Sequence, residues 1–246
     1  MLKKILLVLL MSLFLSSSAM AGRTITVAVP ATVPPMAFVD DQGQLAGYSV
    51  DYIKDVAKAA EFTVVLKDIP WSGIFAGLVR GDFDAICAAV SITANRAKVV
   101  DFTVPYLEVR HALVVPVASD VKSLADLKGK KVGAKLGSIG YQILSKKATG
   151  IEIVGYDEVS LFMEALKSGE IDGAVYAEPM VAHYIATQYS DTLKITSLIE
   201  SKKKDVYGIA VKKGNSEVLD LLNKGMKAMK DSSREQELQK KWLSTK

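Results

Sequence analysis

Ser91-Ile92-Thr93-Ala94-Asn95-Arg96-Ala97-Lys98-Val99-Val100-Asp101-Phe102-Thr103-Val104-Pro105-Tyr106 is the stretch on which the reading of this chain turns. It begins where the apolar run Ala85 to Val90 gives way to hydroxyls, sets one guanidinium at Arg96, and returns to an extended segment ending at Pro105-Tyr106. A strand end, free hydroxyls and a fixed arginine together make a receptor for a small carboxylate. The planar fork of arginine can give two parallel hydrogen bonds to one carboxylate. The same spacing also describes a surface arginine in a turn, and spacing by itself leaves both readings open.

Outward from that stretch, strand and helix patterns alternate. Upstream, Thr24 to Val29 is β-branched and alternating, which predicts a strand closed by Pro30. A loop follows through Val33 to Phe38, and Asp40-Asp41 with Gly43 marks a hairpin-like turn. Val50, Ile53, Val56, Ala57 and Ala60 keep helical spacing. Phe62 to Leu66 predicts a second strand, and Ser72 is the expected N-cap of a short helix that stops at Gly81. Asp84 to Val90 is the strand that delivers the central stretch. Downstream, Ala112 to Val117 and Val206 to Val211 read as two strands crossing between separate units. Between them lie a capped turn at Ser123, strands near Lys131–Ala134, Glu152–Tyr156, Ile171–Tyr176 and Leu193–Leu198, and helices opened by Leu136-Gly137-Ser138-Ile139-Gly140, by Asp157 and by Glu178-Pro179. Two helices, one starting at Asn215-Ser216 and one from about Arg234 to Trp242, finish the chain. A Gly-rich turn opening a helix presents free N–H groups and suits an anion. The run at Ser138-Ile139 lacks the spacing of a nucleotide fingerprint.

One internal echo stands out. Leu78-Val79-Arg80-Gly81-Asp82-Phe83-Asp84-Ala85 and Leu166-Lys167-Ser168-Gly169-Glu170-Ile171-Asp172-Gly173 lie 88 positions apart and share one pattern: helix end, Gly, acid, apolar residue, Asp, small residue, strand. Two strands with matching lead-ins would then end at Ala88-Ala89 and at Tyr176-Ala177. This predicts two α/β lobes whose strand ends face one cleft, where ligands of open α/β sheets sit. A common helix-to-strand turn would explain so short an echo equally well.

Composition narrows the function classes. The chain has 246 residues, half of them hydrophobic, enough for one large or two small cores. Net charge is +4, and +2 once Lys3 and Lys4 leave with a leader, too little to argue for nucleic acid. Met1-Leu2-Lys3-Lys4, the apolar run Ile5 to Leu15, and Ala19-Met20-Ala21 are the three parts of a secretory signal peptide over residues 1–21. The apolar run falls short of the roughly 20 residues a membrane span needs. Cys87 is the only cysteine, so no internal disulfide forms, and its apolar neighbours predict a buried, inert thiol. The two histidines, His111 and His183, lack metal-ligand spacing. Neither metal nor cofactor is expected, and no catalytic Ser/His/Asp or Cys/His set is present.

The run SITANR followed by DFTVPY resembles the signature of the family-3 periplasmic solute-binding proteins, the amino-acid receptors of ABC importers, which commonly read S-I-T-x-x-R and D-F-S-x-P-Y. The resemblance extends over essentially the whole mature chain. It implies a type II two-lobe periplasmic-binding-protein fold joined by two crossing strands, with one lobe over 22–113 and 209–246 and the other over 114–208. It implies a monomer that closes about its hinge on an amino acid or related organic acid and delivers it to an ABC permease in the inner membrane. Carried over by position, Arg96 would grip the ligand carboxylate, with Ser91 and the backbone at Ala88 and Ala89 cradling the head group. Ser138 and Ile139 would donate from the second lobe, and Trp71 would lie against the ligand side chain; a core tryptophan is the plainer alternative.

Departures from the family pattern matter. Where these receptors usually carry an aspartate for the ligand's ammonium, this chain has Ala177, in the run A-E-P-M-V-A. Either Glu178 supplies that acid, or the ligand lacks an ammonium there; Glu178 also fits a first-turn carboxylate facing a helix dipole. Met36 and Val33 stand where aromatics are usual. Two further readings stay open: a cyclohexadienyl-dehydratase-like enzyme with Glu178 as general acid, and a ligand-sensing partner of a membrane receptor.

Overall fold

The computed structural model describes residues 22–147, 149–200 and 203–244. The expected signal peptide, 1–21, lies outside them. In chain order the first elements are β1 (Thr24–Val29), β2 (Thr32–Val33), β3 (Ala37–Val39), β4 (Leu45–Ala46), α1 (Tyr48–Ala60), β5 (Thr63–Asp68), α2 (Trp71–Arg80), β6 (Ala85–Ser91), β7 (Val100–Phe102) and β8 (Leu107–Val109). Then come β9 (His111–Pro116), β10 (Lys131–Lys135), α3 (Ile139–Lys147), β11 (Glu152–Tyr156), α4 (Val159–Ser168), β12 (Gly173–Ala177), α5 (Glu178–Tyr184), β13 (Leu193–Ile199), β14 (Asp205–Lys212), α6 (Ser216–Asp231) and α7 (Arg234–Leu243).

Two sheets carry the lobes, and they are built alike. The first runs β5-β1-β6-β14-β7, with β8 also on β14. Its β1 is parallel to β5 and β6, and β14 is antiparallel to β6. The second runs β11-β10-β12-β9-β13. Its β10 is parallel to β11 and β12, and β9 is antiparallel to β12. The internal echo has a physical basis in this likeness. Gly81 and Gly169 end α2 and α4 in the left-handed region, at φ 90° and 79°, where a side chain would be strained. Asp84 then accepts from the Thr26 N–H at 2.8 Å while its own N–H donates to the Thr26 carbonyl. Asp172 does the same with Lys131, at 2.9 Å. In both lobes one carboxylate pins the incoming strand to the start of its parallel neighbour.

The sheets explain the sequence pattern. β6 is buried at every position except half-buried Ala89, so it reads as a continuous apolar run rather than an alternation. The five helical-spaced residues of α1 are all buried, each Val or Ile contributing about 1.5–3 kcal/mol over exposure. Helix α6 lies so close on α1 that a methyl group added at Gly225 would stand 2.4 Å from the Val56 carbonyl oxygen. Asn215 caps α6 by accepting from the Val218 N–H, and Ser123 and Asp126 form a capping box.

Two expected caps differ. Helix α2 starts two residues early, at Trp71 after Pro70, whose φ of −56° and extended ψ set the entry. Ser72 therefore falls inside the first turn. Helix α4 is preceded by Glu158, not Asp157, and neither provides a side-chain cap. The passages between sheets also lie earlier than the divisions expected after Leu113 and Gly208. β8 ends at Val109 in the first sheet and β9 begins at His111 in the second, leaving Arg110 between them. On the return, β13 ends at Ile199 and β14 begins at Asp205.

Candidate functional site

The carboxyl ends of β1, β6, β10 and β12 converge on one cleft between the sheets, as expected for parallel α/β strands. From the first lobe, Trp71, Ala88, Ala89, Ser91 and Arg96 line it. From the second come Ser138, Ile139 and Ala177. Sequence reasoning singled out all eight.

Local backbone explains how β6 presents itself. Its register with β14 shifts, so that Ile209 alone stands opposite Cys87 to Ala89. Ala89 adopts φ 52°, the left-handed region that a non-glycine residue seldom occupies. Such a bulge re-aims the strand at its end, next to the cleft. Arg96 follows in a short 3-10 turn, Arg96–Lys98. Its Nη1 donates to the Ser91 carbonyl at 2.9 Å and its Nη2 to the Gly137 carbonyl, in the second lobe, at 3.1 Å. Its guanidinium carbon sits 5.3 Å from the ring centroids of both Trp71 and Phe75. Fixed by two carbonyls and two rings, it keeps further N–H donors for a ligand. Burial lowers its pKa from the ordinary value, and the charge of Asp205 opposes that shift. A guanidinium starts high enough to stay charged. Trp71 lines the cleft, and its ring also packs on the arginine, a contact that sequence reasoning did not anticipate.

The second lobe meets the first closely. Gly137, at φ 71°, brings its Cα near enough that an added methyl would lie 3.4 Å from Trp71 Nε1. Ser138 Oγ accepts from the Tyr141 N–H at 3.1 Å, steadying the first turn of α3. Across the cleft mouth, Thr32 Oγ1 donates to Glu158 Oε2 at 2.9 Å.

Glu178 requires a correction. Its carboxylate accepts two hydrogen bonds from Arg110, at 2.9 and 3.0 Å, and its N–H donates to the Arg110 carbonyl. It is absent from the residues lining the cleft. A bidentate arginine in the crossing itself holds this carboxylate at the hinge, so it does not face a ligand ammonium.

Six lining residues fall outside those that sequence reasoning proposed for binding: Pro30, Val33, His111, Lys135, Tyr176 and Tyr207. Lys135 ends β10, is 2% exposed, and donates to Glu158 Oε2 at 2.8 Å. His111 begins β9, 6% exposed, with Nε2 2.9 Å from Asp205 Oδ2. The same Asp205 oxygen accepts from Ser91 Oγ at 3.0 Å. Burial raises the phenol pKa of Tyr176 and Tyr207, so both remain neutral hydroxyls. A charged residue closing an apolar strand, as in Lys131 to Lys135, was the signal available for Lys135. His111 merely precedes an apolar run and carried none.

Behind the cleft, Cys87 is fully buried with Sγ 3.4 Å from the Ser49 carbonyl, and burial pushes its thiol up to about 12. Among the described residues no group of three His, Cys, Asp or Glu side chains is arranged to hold a metal ion, and no helix is long and apolar enough to cross a membrane.

The comparisons agree with this geometry. Residues 25–245 match the model of the bacterial extracellular solute-binding proteins, family 3. The chain is 29% identical to a probable histidine-binding protein of Neisseria gonorrhoeae, over 92% of this chain and 85% of that one. It is 30% identical to the L-cystine-binding protein TcyJ of Escherichia coli K12, over 89% and 82%. A solved ancestral arginine-binding protein bound to arginine superposes with a TM-score of 0.84 at 37% identity, covering 91% of this chain and all of that one. With a two-lobed fold, an arginine at the strand end and a family model spanning nearly every described residue, the chain belongs to the family-3 bacterial extracellular solute-binding proteins.

Proposed function

We propose that this protein is the solute-binding receptor of an ABC importer, holding an amino acid or related small carboxylate between its lobes and passing it to a membrane permease. The observation that carries the reading is Arg96: a half-buried guanidinium, seated at the end of β6, reaching across the cleft to Gly137. A carboxylate there would displace or join those carbonyl acceptors, and both lobes would close on it by rotation about the two crossings. Residues 1–21 have the build of a cleaved leader, which fits a periplasmic protein. The relatives' printed names, histidine- and cystine-binding, support an amino acid or close analogue. A dehydratase reading would have used Glu178 as its acid, and the engagement of that carboxylate by Arg110 counts against it.

The test is ligand-induced thermal stabilisation. A ligand at 100 times its Kd stabilises the native state by about 2.7 kcal/mol. A screen of amino acids and small carboxylates should find such a shift, and Arg96→Ala should abolish it. A shift that survives Arg96→Ala overturns the role of this residue.

A further inference from the structure

The pocket at the end of β6 is lined by two cations, Arg96 and Lys135, and by no aspartate or glutamate; Asp157 and Glu158 line the adjoining pocket, which shares Arg96 and Trp71. At the end of β12 the wall is the methyl of Ala177, 2% exposed, and the next residue is tied to Arg110. Two carboxylates stand nearby, Asp205 behind the wall and partly exposed Glu158 on the adjoining pocket, and both have partners. Asp205 Oδ2 takes Ser91 Oγ and His111 Nε2. Glu158 Oε2 takes Lys135 Nζ and Thr32 Oγ1.

A zwitterionic amino acid would bring an ammonium into this space. It would lose its water beside two fixed cations, with no carboxylate on the lining to receive it, and an unpaired buried charge is costly. An anion meets the opposite situation. Lys135 Nζ has three donors, one of which goes to Glu158. Arg96 likewise keeps N–H donors beyond those it gives to the Ser91 and Gly137 carbonyls.

We propose that the solute is a small dicarboxylate, or an acid with a comparable second anionic group, that carries no α-ammonium. One carboxylate sits at Arg96, and the second group meets Lys135 Nζ. This rests on the receptor reading above and narrows its solute class.

Calorimetry on the purified full chain with matched pairs tests it: 2-oxoglutarate against L-glutamate, and malate against L-aspartate. The amino-free member of a pair should bind at least 100-fold tighter, and Lys135→Met should cost it tenfold or more. Lys135→Met strands Glu158 and could unfold the lobe, so Ala177→Asp is the second variant. It adds the missing acid to the wall and should move the ratio at least tenfold toward the amino acid. Equal or tighter binding of the amino acids to the parent protein, dependent on Arg96, overturns this inference and leaves the receptor reading standing. Binding of no member of a broad panel of amino acids and small carboxylates overturns both.

Discussion

Gly140→Ala isolates the packing that holds half of the cleft. Gly140 is buried in the first turn of α3, and a methyl group there would stand 2.3 Å from the Val175 carbonyl oxygen and 3.0 Å from its carbon. Val175 cannot yield, because β12 is held between β10 and β9. Helix α3 must move instead, by about 1 Å to reach ordinary contact, and overpacking of this kind costs about 1–3 kcal/mol. Alanine regains about 1 kcal/mol of helix propensity, which offsets only the mildest case. For a chain of this size each kcal/mol moves Tm by about 2–4 °C, so a fall of a few degrees up to about 8 °C is expected. Movement of α3 also carries Ser138 and Ile139 away from the cleft, so ligand affinity should fall with it. Gly73→Ala in α2 is the control: its methyl group would meet nothing within 4 Å, and Tm should stay level or rise slightly. Circular dichroism melts read both. A Gly140→Ala protein that melts above the parent and binds ligand equally well refutes the close approach, as does an equal fall in Gly73→Ala.

Three other outcomes are expected. The Cys87 thiol, fully buried and raised to about 12, should resist a disulfide reagent at pH 8 in the native protein and react fully in denaturant; rapid native labelling would contradict its burial. Glu178→Gln should leave the preference among ligands unchanged and cost under about 1 kcal/mol of stability, since its ion pair with Arg110 is partly exposed; a selective loss of amino-acid binding would return Glu178 to the site. Asp101 accepts from Lys213 Nζ at 2.6 Å and from the Gly214 N–H at 2.8 Å, and those bonds hold its carboxyl below the ordinary value. A depressed folded pKa adds stability above the unfolded value, about 3.9, that disappears as pH falls through the folded one. Asp101→Asn should therefore be less stable than the parent at pH 7, with the gap closing below about pH 4; a gap that stays constant with pH would rule out that linkage.

Where the sequence was legible, a local pattern had a local cause. β6 and β9 show as apolar runs because both faces are covered, and α1 shows by its stripe. The Gly81 and Gly169 echo was legible because left-handed helix ends favour one residue type. Arg96 was visible because it follows a strand end at short range. The cap expected at Ser72 lies two positions earlier and that expected at Asp157 one position later, since Pro70 and Glu158 set the entry by backbone conformation without a side-chain bond. Glu178 was ambiguous because its partner, Arg110, lies 68 residues away. Lys135 and His111 were missed for a like reason: only the closing of two sheets on one another turns a strand end into a wall.

The two lobes are completed by exchange, and that exchange brings the hinge to the cleft. Each sheet has a parallel trio from its own lobe and an antiparallel fourth strand that has just crossed from the other: β9 in the second, β14 in the first. The first residues of these two strands are His111 and Asp205, and they meet at 2.9 Å. Asp205 pairs in register with Val109 and His111 with Ile199, so the two crossings run side by side. Ser91, at the end of β6, joins the same carboxylate oxygen. Rotation of one lobe against the other must turn β9 relative to β14 at these residues, of which His111 and Ser91 line the cleft. A solute that engages His111 or Ser91 therefore acts on the pivot itself, and its differential contact with the open and closed forms is the free energy available to drive closure.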